Sequence, residues 1–249
     1  MDCLKHYSST LVAVGVATAA AAATASVYLA TQPDPFISTL DLDNQSVILE
    51  DGSRQHPGCL DGKLMEYLYE DAKTLPEAFL HGLKASKNGP CLAARTGPNL
   101  EYEWLSYQEV YDTAQAVGSG LIHEGLRAKN DTFVGIYSKN RPEYTICDLA
   151  CVMFSMVPVP LYDTLGKESR LHIINTNELT HIICDSSEKA QNLLSECEKI
   201  PKVKCIIVME TISPDQQEKA KMCGIKLIRL NQLQADGQKN IQDTVVSNL

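Results

Sequence analysis

Positive charge is in short supply in this chain: 22 Lys and Arg stand against 31 Asp and Glu in 249 residues, a formal net charge of −9. So acidic a chain offers no basic field to a phosphate backbone, which excludes general nucleic-acid binding. The short motifs that announce a reaction are missing as well. There is no G-x-x-x-x-G-K-[ST], no G-x-S-x-G and no H-E-x-x-H, so the compact signatures of P-loop, serine-hydrolase and zinc-protease chemistry are absent. Gly118-x-Gly120 lacks a preceding strand and a third glycine in register, and no dinucleotide-binding turn is read there. His6, His56, His81, His123, His172 and His181 are scattered, none in a dyad with Cys or Ser, and read as surface or satisfied core residues. Trp104 is the single tryptophan and is expected to pack in the core or against its own hairpin.

Cysteine is plentiful but unorganised. The nine, at positions 3, 59, 91, 147, 151, 184, 197, 205 and 223, are odd in number and have no framework spacing. They read as buried free thiols of a reducing compartment. Cys147 and Cys151 share a helix face at i, i+4, but no second Cys or His pair completes four ligands, and a metal site is discounted.

Charge of either sign is absent from Tyr7 to Pro33. Within that run, the twenty residues from Leu11 to Ala30 are just long enough to cross a bilayer core as a helix. Nine of them are Ala, so the transfer free energy is small. A retained anchor, a signal peptide cleaved in the small-residue run from Ala19 to Ala25, and a buried or surface helix all remain open. Lys5 alone precedes the span and Arg54 is the first basic residue after it, so charge bias barely sets orientation. Residues 31–62 are rich in Pro, Asp, Gly and Ser and read as a linker. The wider flank, residues 31–70, carries Asp34, Asp41, Asp43, Glu50, Asp51, Asp61, Glu66 and Glu70 against Arg54 and Lys63, and is not drawn to anionic lipid by charge.

From residue 63 the pattern becomes that of a folded domain, and a hydrophobic content of 44% supports a core. Apolar residues at helical spacing over 64–84 are interrupted near Pro76. Residues 91–95 and 102–105 flank the turn residues Thr96-Gly97-Pro98-Asn99 and predict a β-hairpin. Ser106 and Glu109 form a capping box for the next helix, which Gly118 and Gly120 interrupt and Gly125 ends. Short β-branched runs then alternate with helical patterns: residues 133–137, 157–161, 180–184, 203–209 and 225–230 predict strands, with crossover helices between them. Pro158 and Pro160 place the run 157–161 at a sheet edge. Asn140 is expected to cap the helix opened by Pro142. The tail from Asn231 is polar and weakly patterned. In such an α/β sheet, ligands sit beyond the carboxyl ends of strands, which marks residues 138–141, 162–166 and 185–187.

Four blocks carry a family resemblance. Asn88-Gly89-Pro90-Cys91-Leu92, Tyr102-Glu103-Trp104-Leu105-Ser106-Tyr107, Asn140-Arg141-Pro142-Glu143 and Val159-Pro160-Leu161-Tyr162-Asp163-Thr164-Leu165-Gly166 occur in the order seen in the N-terminal part of the long-chain acyl-CoA synthetases, AMP-forming ligases of the adenylate-forming superfamily. The likeness covers residues 28–235. It implies an α/β fold class: a partial N-terminal domain of the adenylate-forming fold, with βαβ units and a mostly parallel sheet behind an N-terminal transmembrane helix. The organisation it implies is an anchor (1–30), an acidic linker (31–62), the partial domain (63–235) and a divergent tail (236–249).

The activity implied is ligation of a fatty acid to CoA. The carboxylate attacks the α-phosphate of ATP, with Mg²⁺ on the phosphates, and CoA then displaces AMP. ATP, Mg²⁺ and CoA are thus cofactors of the whole family enzyme, with none expected to be held fully by this chain. The family's phosphate loop has no counterpart up to Leu249, and residues 241–249 do not read into it. No catalytic, cofactor-binding or metal-ligating residue is therefore assigned, and Tyr162, Asp163 and Thr164 are read as structural loop residues. The family's animal branch implies a membrane anchor, here between Leu11 and Ala30, with the domain facing the cytosol at the endoplasmic reticulum, the mitochondrial outer membrane or the peroxisome. Alternatives are a non-catalytic membrane-tethered module that associates with full-length synthetase, and a secreted glycoprotein using Asn44 or Asn130.

Overall fold

A computed structural model describes Ser26 and residues 41–59, 64, 66–96 and 98–245. It divides into two compact units, Met1–Glu66 and Tyr67–Leu249. The apolar run between Leu11 and Ala30 lies outside the described residues except for Ser26, and no helix among the described residues is long and apolar enough to cross a membrane.

The first unit has more structure than the linker expectation allowed. Strands β1 (Val47–Ile48) and β2 (Arg54–Gln55) pair antiparallel. Their turn forms because Gly52 takes a φ of +82°, and Asp51 accepts hydrogen bonds from the Ser53 N–H and Oγ–H at 2.9 and 2.7 Å.

The second unit opens with α1 (Leu75–Ala85). Pro76 starts this helix where an interruption was expected, because the missing N–H of a proline costs nothing in a first turn. The Thr74 and Glu77 side chains cap it reciprocally. The hairpin follows as β3 (Pro90–Thr96) and β4 (Glu101–Ser106). Next comes α2 (Tyr107–His123), capped by Ser106 and Glu109 as the sequence predicts. Five βαβ-type strands complete the order: β5 (Phe133–Tyr137), α3 (Pro142–Met153), β6 (Val157–Pro160), α4 (Lys167–Thr176), β7 (His181–Cys184), α5 (Ser187–Leu194), β8 (Cys205–Val208), α6 (Pro214–Met222), β9 (Lys226–Arg229) and α7 (Leu230–Lys239). All pairs are parallel, in the order β6-β5-β7-β8-β9. The proline-bearing strand β6 is indeed an edge.

Each strand alternates between two cores, so the sheet is covered on both faces. Ile183 and Ile207 join α2, α3 and α7 on one face. Ile182, Cys184, Ile206 and Val208 join α4, α5 and α6 on the other.

Three local expectations are corrected and a fourth is narrowed. Gly118 and Gly120 do not interrupt α2. Gly118 faces the Phe154 ring and Gly120 the Leu233 backbone, so their smallness lets the neighbouring segments approach α2 closely. Arg141, not Asn140, is the cap residue of α3, with no side-chain cap bond. Of the two places expected for Trp104, the hairpin and not the core is the one found: it is 58% exposed, on the face away from the Leu105 side, with its ring centroid 6.3 Å from that of Tyr102. The tail from Asn231 is α7 followed by a strap, in which Gln242 N–H donates to Ser119 Oγ at 3.0 Å and Val245 N–H to Met153 O at 2.9 Å.

Candidate functional site

Parallel strands end together, and the loops beyond β5, β6, β7 and β8 meet at one rim. There they line a cleft of about 700 Å³ that includes Tyr137, Lys139, Arg141, Asp163, Asp185, Lys189 and Glu210. A second cleft, about 670 Å³, lies at the opposite, amino end around Glu124, His181 and Lys204. The carboxyl end is the stronger candidate, because only there do the strand-following loops, free to vary without breaking the sheet, converge on one crevice.

Asp185 is the centre of this cleft. It follows the last residue of β7 and is 5% exposed. One carboxylate oxygen, Oδ2, accepts from the Lys139 N–H at 2.7 Å and from Lys189 Nζ at 2.8 Å. Oδ1 is buried with no hydrogen-bond partner. Lys189 stands one helical turn after Asp185 because Ser186 caps α5 and fixes its first turn. Its ammonium also pairs with Asp163 from the loop after β6, and lies 4.6 Å from the Tyr137 ring centroid. Arg170 of α4 reaches the same ring at 4.8 Å, donating to Tyr137 Oη at 3.1 Å. Arg141 donates from Nε and Nη2 to Glu143, each at 2.8 Å, and from Nη1 to the Asp185 carbonyl at 3.3 Å. Glu210, beyond β8, accepts from the first N–H of α5, Ser187, at 3.1 Å.

The charges answer one another. Burial alone would push the Asp185 carboxyl up, but its bonds to Lys189 and Lys139 outweigh that and hold it below the usual range. Burial would likewise depress Lys189, and its bonds to Asp163 and Asp185 raise it instead. The Glu143 bond raises Arg141, and the Arg141 bond lowers Glu143. Thus Arg141 and Lys189 are already held by carboxylates of their own chain.

That bears on the ATP, Mg²⁺ and CoA the sequence resemblance implies. Nucleotide phosphates need unneutralised donors, and Mg²⁺ needs an open octahedron of oxygens. Here the carboxylates face an ammonium, and among the described residues no group of three or more His, Cys, Asp or Glu is placed to hold a metal ion. The residues of this cleft do not by themselves fit Mg²⁺ or a triphosphate.

The three loops marked from sequence do reach this rim, through Lys139, Asn140 and Arg141, through Asp163, and through Asp185, Ser186 and Ser187. Tyr162, 60% exposed, lies outside the lining, as does Thr164. Sequence reasoning missed Lys189, Glu210, Tyr137 and Arg170. The Asp185–Lys189 spacing of four on a capped helix was the one readable signal.

Comparison with known proteins places this architecture. Residues 84–239 match the family model described as AMP-binding enzyme. The chain is 41% identical over 224 residues to long-chain-fatty-acid–CoA ligase 5 of Rattus norvegicus, covering 89% of this chain and 33% of that one. It is 39% identical over 223 residues to long-chain-fatty-acid–CoA ligase 1 of Homo sapiens, covering 88% and 32%. It therefore spans about a third of the length of these curated relatives. Among solved structures, the adenylation domain of a carboxylate reductase from Mycobacterium chelonae superposes with a TM-score of 0.62 at 18% identity, covering 72% of this chain and 31% of that one. The A domain of a carboxylic acid reductase from Segniliparus rugosus, solved with AMP and a co-purified carboxylic acid, gives 0.58 at 17%, covering 70% and 31%. These two likenesses concern the fold. The family match, across most of the folded unit, is decisive: this chain belongs to the AMP-binding enzyme family, and its homologues are long-chain fatty acid–CoA ligases.

Proposed function

We propose that this chain is the N-terminal part of a membrane-anchored long-chain fatty acid–CoA ligase and that, by itself, it makes no acyl-CoA. The observation that carries the reading is the cleft at the carboxyl edge of the sheet. It lies where an α/β ligase would bind its ligands, yet Arg141 and Lys189 there are neutralised by Glu143, Asp163 and Asp185. Of the cations that line the cleft only Lys139 is then left for phosphate, and a triphosphate needs further donors from elsewhere. The apolar, charge-free run between Leu11 and Ala30 supports an anchor, and the resemblance to the animal synthetases favours a domain on the cytosolic side of the endoplasmic reticulum or the mitochondrial outer membrane, or of the peroxisome.

Purified residues 1–249, given fatty acid, ATP, Mg²⁺ and CoA, are expected to form no acyl-CoA above a boiled control. Product above that control overturns the claim of inactivity. Alkaline extraction of membranes tests the anchor independently: residues 1–249 should stay in the pellet and a chain lacking residues 1–30 should not. A second reading, a non-catalytic module that associates with full-length synthetase, is favoured by the two buried cores of residues 67–245 and the strap that closes over one of them. Retention of tagged full-length ligase by this chain would select it.

A further inference from the structure

Besides free Cys59 and Cys91, the cysteines among the described residues form two sets of different chemistry. Cys147, Cys151, Cys184 and Cys205 are free thiols buried inside the sheet and helix layers, where burial pushes Cys147 and Cys205 up to about 12 and raises the other two as well. Such thiols are poor nucleophiles and poor targets for oxidants. Cys197 and Cys223 are different. Both are only partly buried, their Cα atoms are 6.0 Å apart, and they are joined by a disulfide. The expectation of free thiols throughout is corrected at this pair alone among the described residues.

We propose that Cys197 and Cys223 form a reversible redox clasp, which fixes α6 and the β9 edge when oxidised and loosens them when reduced. Three observations point there. First, α6 is weakly held by packing, with Ala220 its one fully buried residue. Its side-chain tethers are Gln216 Nε2 to Ser187 O at 2.8 Å, Gln217 Nε2 to Leu227 O at 3.0 Å, and an exposed contact from Lys219 Nζ to Ser195 Oγ at 2.8 Å. Second, α6 leads directly into β9, which pairs with β8 on one side only. Third, the reduced state has a place to go: Cys223 Sγ lies 3.5 Å from the Leu194 carbonyl, an acceptor for its S–H. The clasp therefore acts at one open margin of the sheet, and both of its redox states fit the fold.

The chemistry balances with a hydroperoxide as oxidant. One thiolate attacks a peroxide oxygen and breaks the O–O bond, giving a sulfenic acid and, with the thiol's proton, water or alcohol. The second sulfur attacks the sulfenic sulfur, expelling hydroxide that leaves as water with the second thiol's proton. Two electrons pass from the sulfurs to the peroxide. Glutathione reverses the step through a mixed disulfide, two glutathione thiols becoming one glutathione disulfide.

The test uses the full chain in detergent, first in millimolar reduced glutathione and then, after its removal, in hydrogen peroxide. Differential alkylation with peptide mapping reads each cysteine, and hydrogen exchange reads the backbone. Glutathione should open the pair and peroxide should close it, with the four core thiols unmodified. On closure, exchange in residues 214–229 should slow by up to about two orders of magnitude, the scale set by cross-linking a loop of this size, and by more than exchange in β5 and β7, which feel the cross-link only through global unfolding. A pair that remains oxidised in glutathione is a fixed cross-link and overturns the proposal. So does a pair that peroxide fails to close, or one whose closure leaves exchange in 214–229 unaltered. Cys223→Ser should abolish both changes, and because the wild-type chain is its own control the result does not hang on the variant's folding.

Discussion

Lys189 shows how much one side chain can carry. Its residue is 8% exposed, and its ammonium is shared by Asp163 and Asp185 while lying against the Tyr137 ring. Replacing it by Met, close in size, keeps the packing of the stem but leaves two carboxylates facing one another without a cation. A fully buried pair broken this way costs about 3–5 kcal/mol. Asp163 is one-third exposed at its side chain, so water recovers part of that. Lys189→Met is accordingly expected to destabilise the domain by about 2–3 kcal/mol, read as a fall in the urea midpoint at unchanged slope. A loss below about 0.5 kcal/mol would mean that the cluster is solvated like a surface pair. The individual residues of this cluster were legible only in part. Asp185 and Lys189 lie in one capped turn and can be paired on paper, but Asp163 arrives from a loop after a different strand, and a single sequence contains no trace of that meeting.

At the scale of elements, the strongest constraint is the contact of α2 with α7. A Cβ on Gly237 would overlap the Ala116 carbonyl oxygen and lie 2.6 Å from Gly120 N, so the two backbones meet with no room for a methyl group. Gly237 has no positive φ, and its reason is this approach rather than conformational freedom. Two effects oppose each other in Gly237→Ala. Helix propensity alone favours Ala by about 1 kcal/mol. The overlap is with backbone, which cannot rotate away, and overpacking of this sort costs about 1–3 kcal/mol or more. The overlap wins, and a net loss of about 1–2 kcal/mol is expected in a denaturant titration, whereas a gain would show that α7 is free to shift. This contact also marks where sequence reading stops. Strands of apolar β-branched residues, the Ser106–Glu109 box and the proline edge are local signals and are found where the sequence puts them. Helix α7 is polar on average and has Leu230 and Leu233 as its buried leucines, so its place is set by its own Gly237 and by Gly120 of the distant α2, which no local pattern displays.

For the whole molecule, the question is which surface governs association. A sheet with two open edges is exposed to aggregation through them. Both edges here are blunted: β6 by Pro158 and Pro160, which offer no N–H, and β9 by Lys226 and Arg229 at its ends. The outer face of the β3–β4 hairpin has no such defence. Tyr102 and Trp104, 56% and 58% exposed, lie side by side with ring centroids 6.3 Å apart. Aromatic surface of this kind is typical of the centre of protein contacts. Trp104 is the one tryptophan beside ten tyrosines, so fluorescence excited beyond the tyrosine absorption band reports this face alone. The dilute folded chain should emit at the red end of the tryptophan range and be quenched by acrylamide nearly as readily as in urea. As concentration rises and light scattering registers larger species, emission should shift to the blue and quenching should fall, because association through the hairpin covers Trp104. Larger species with unchanged fluorescence would move the contact to the sheet edges, and with it the surface a partner would use.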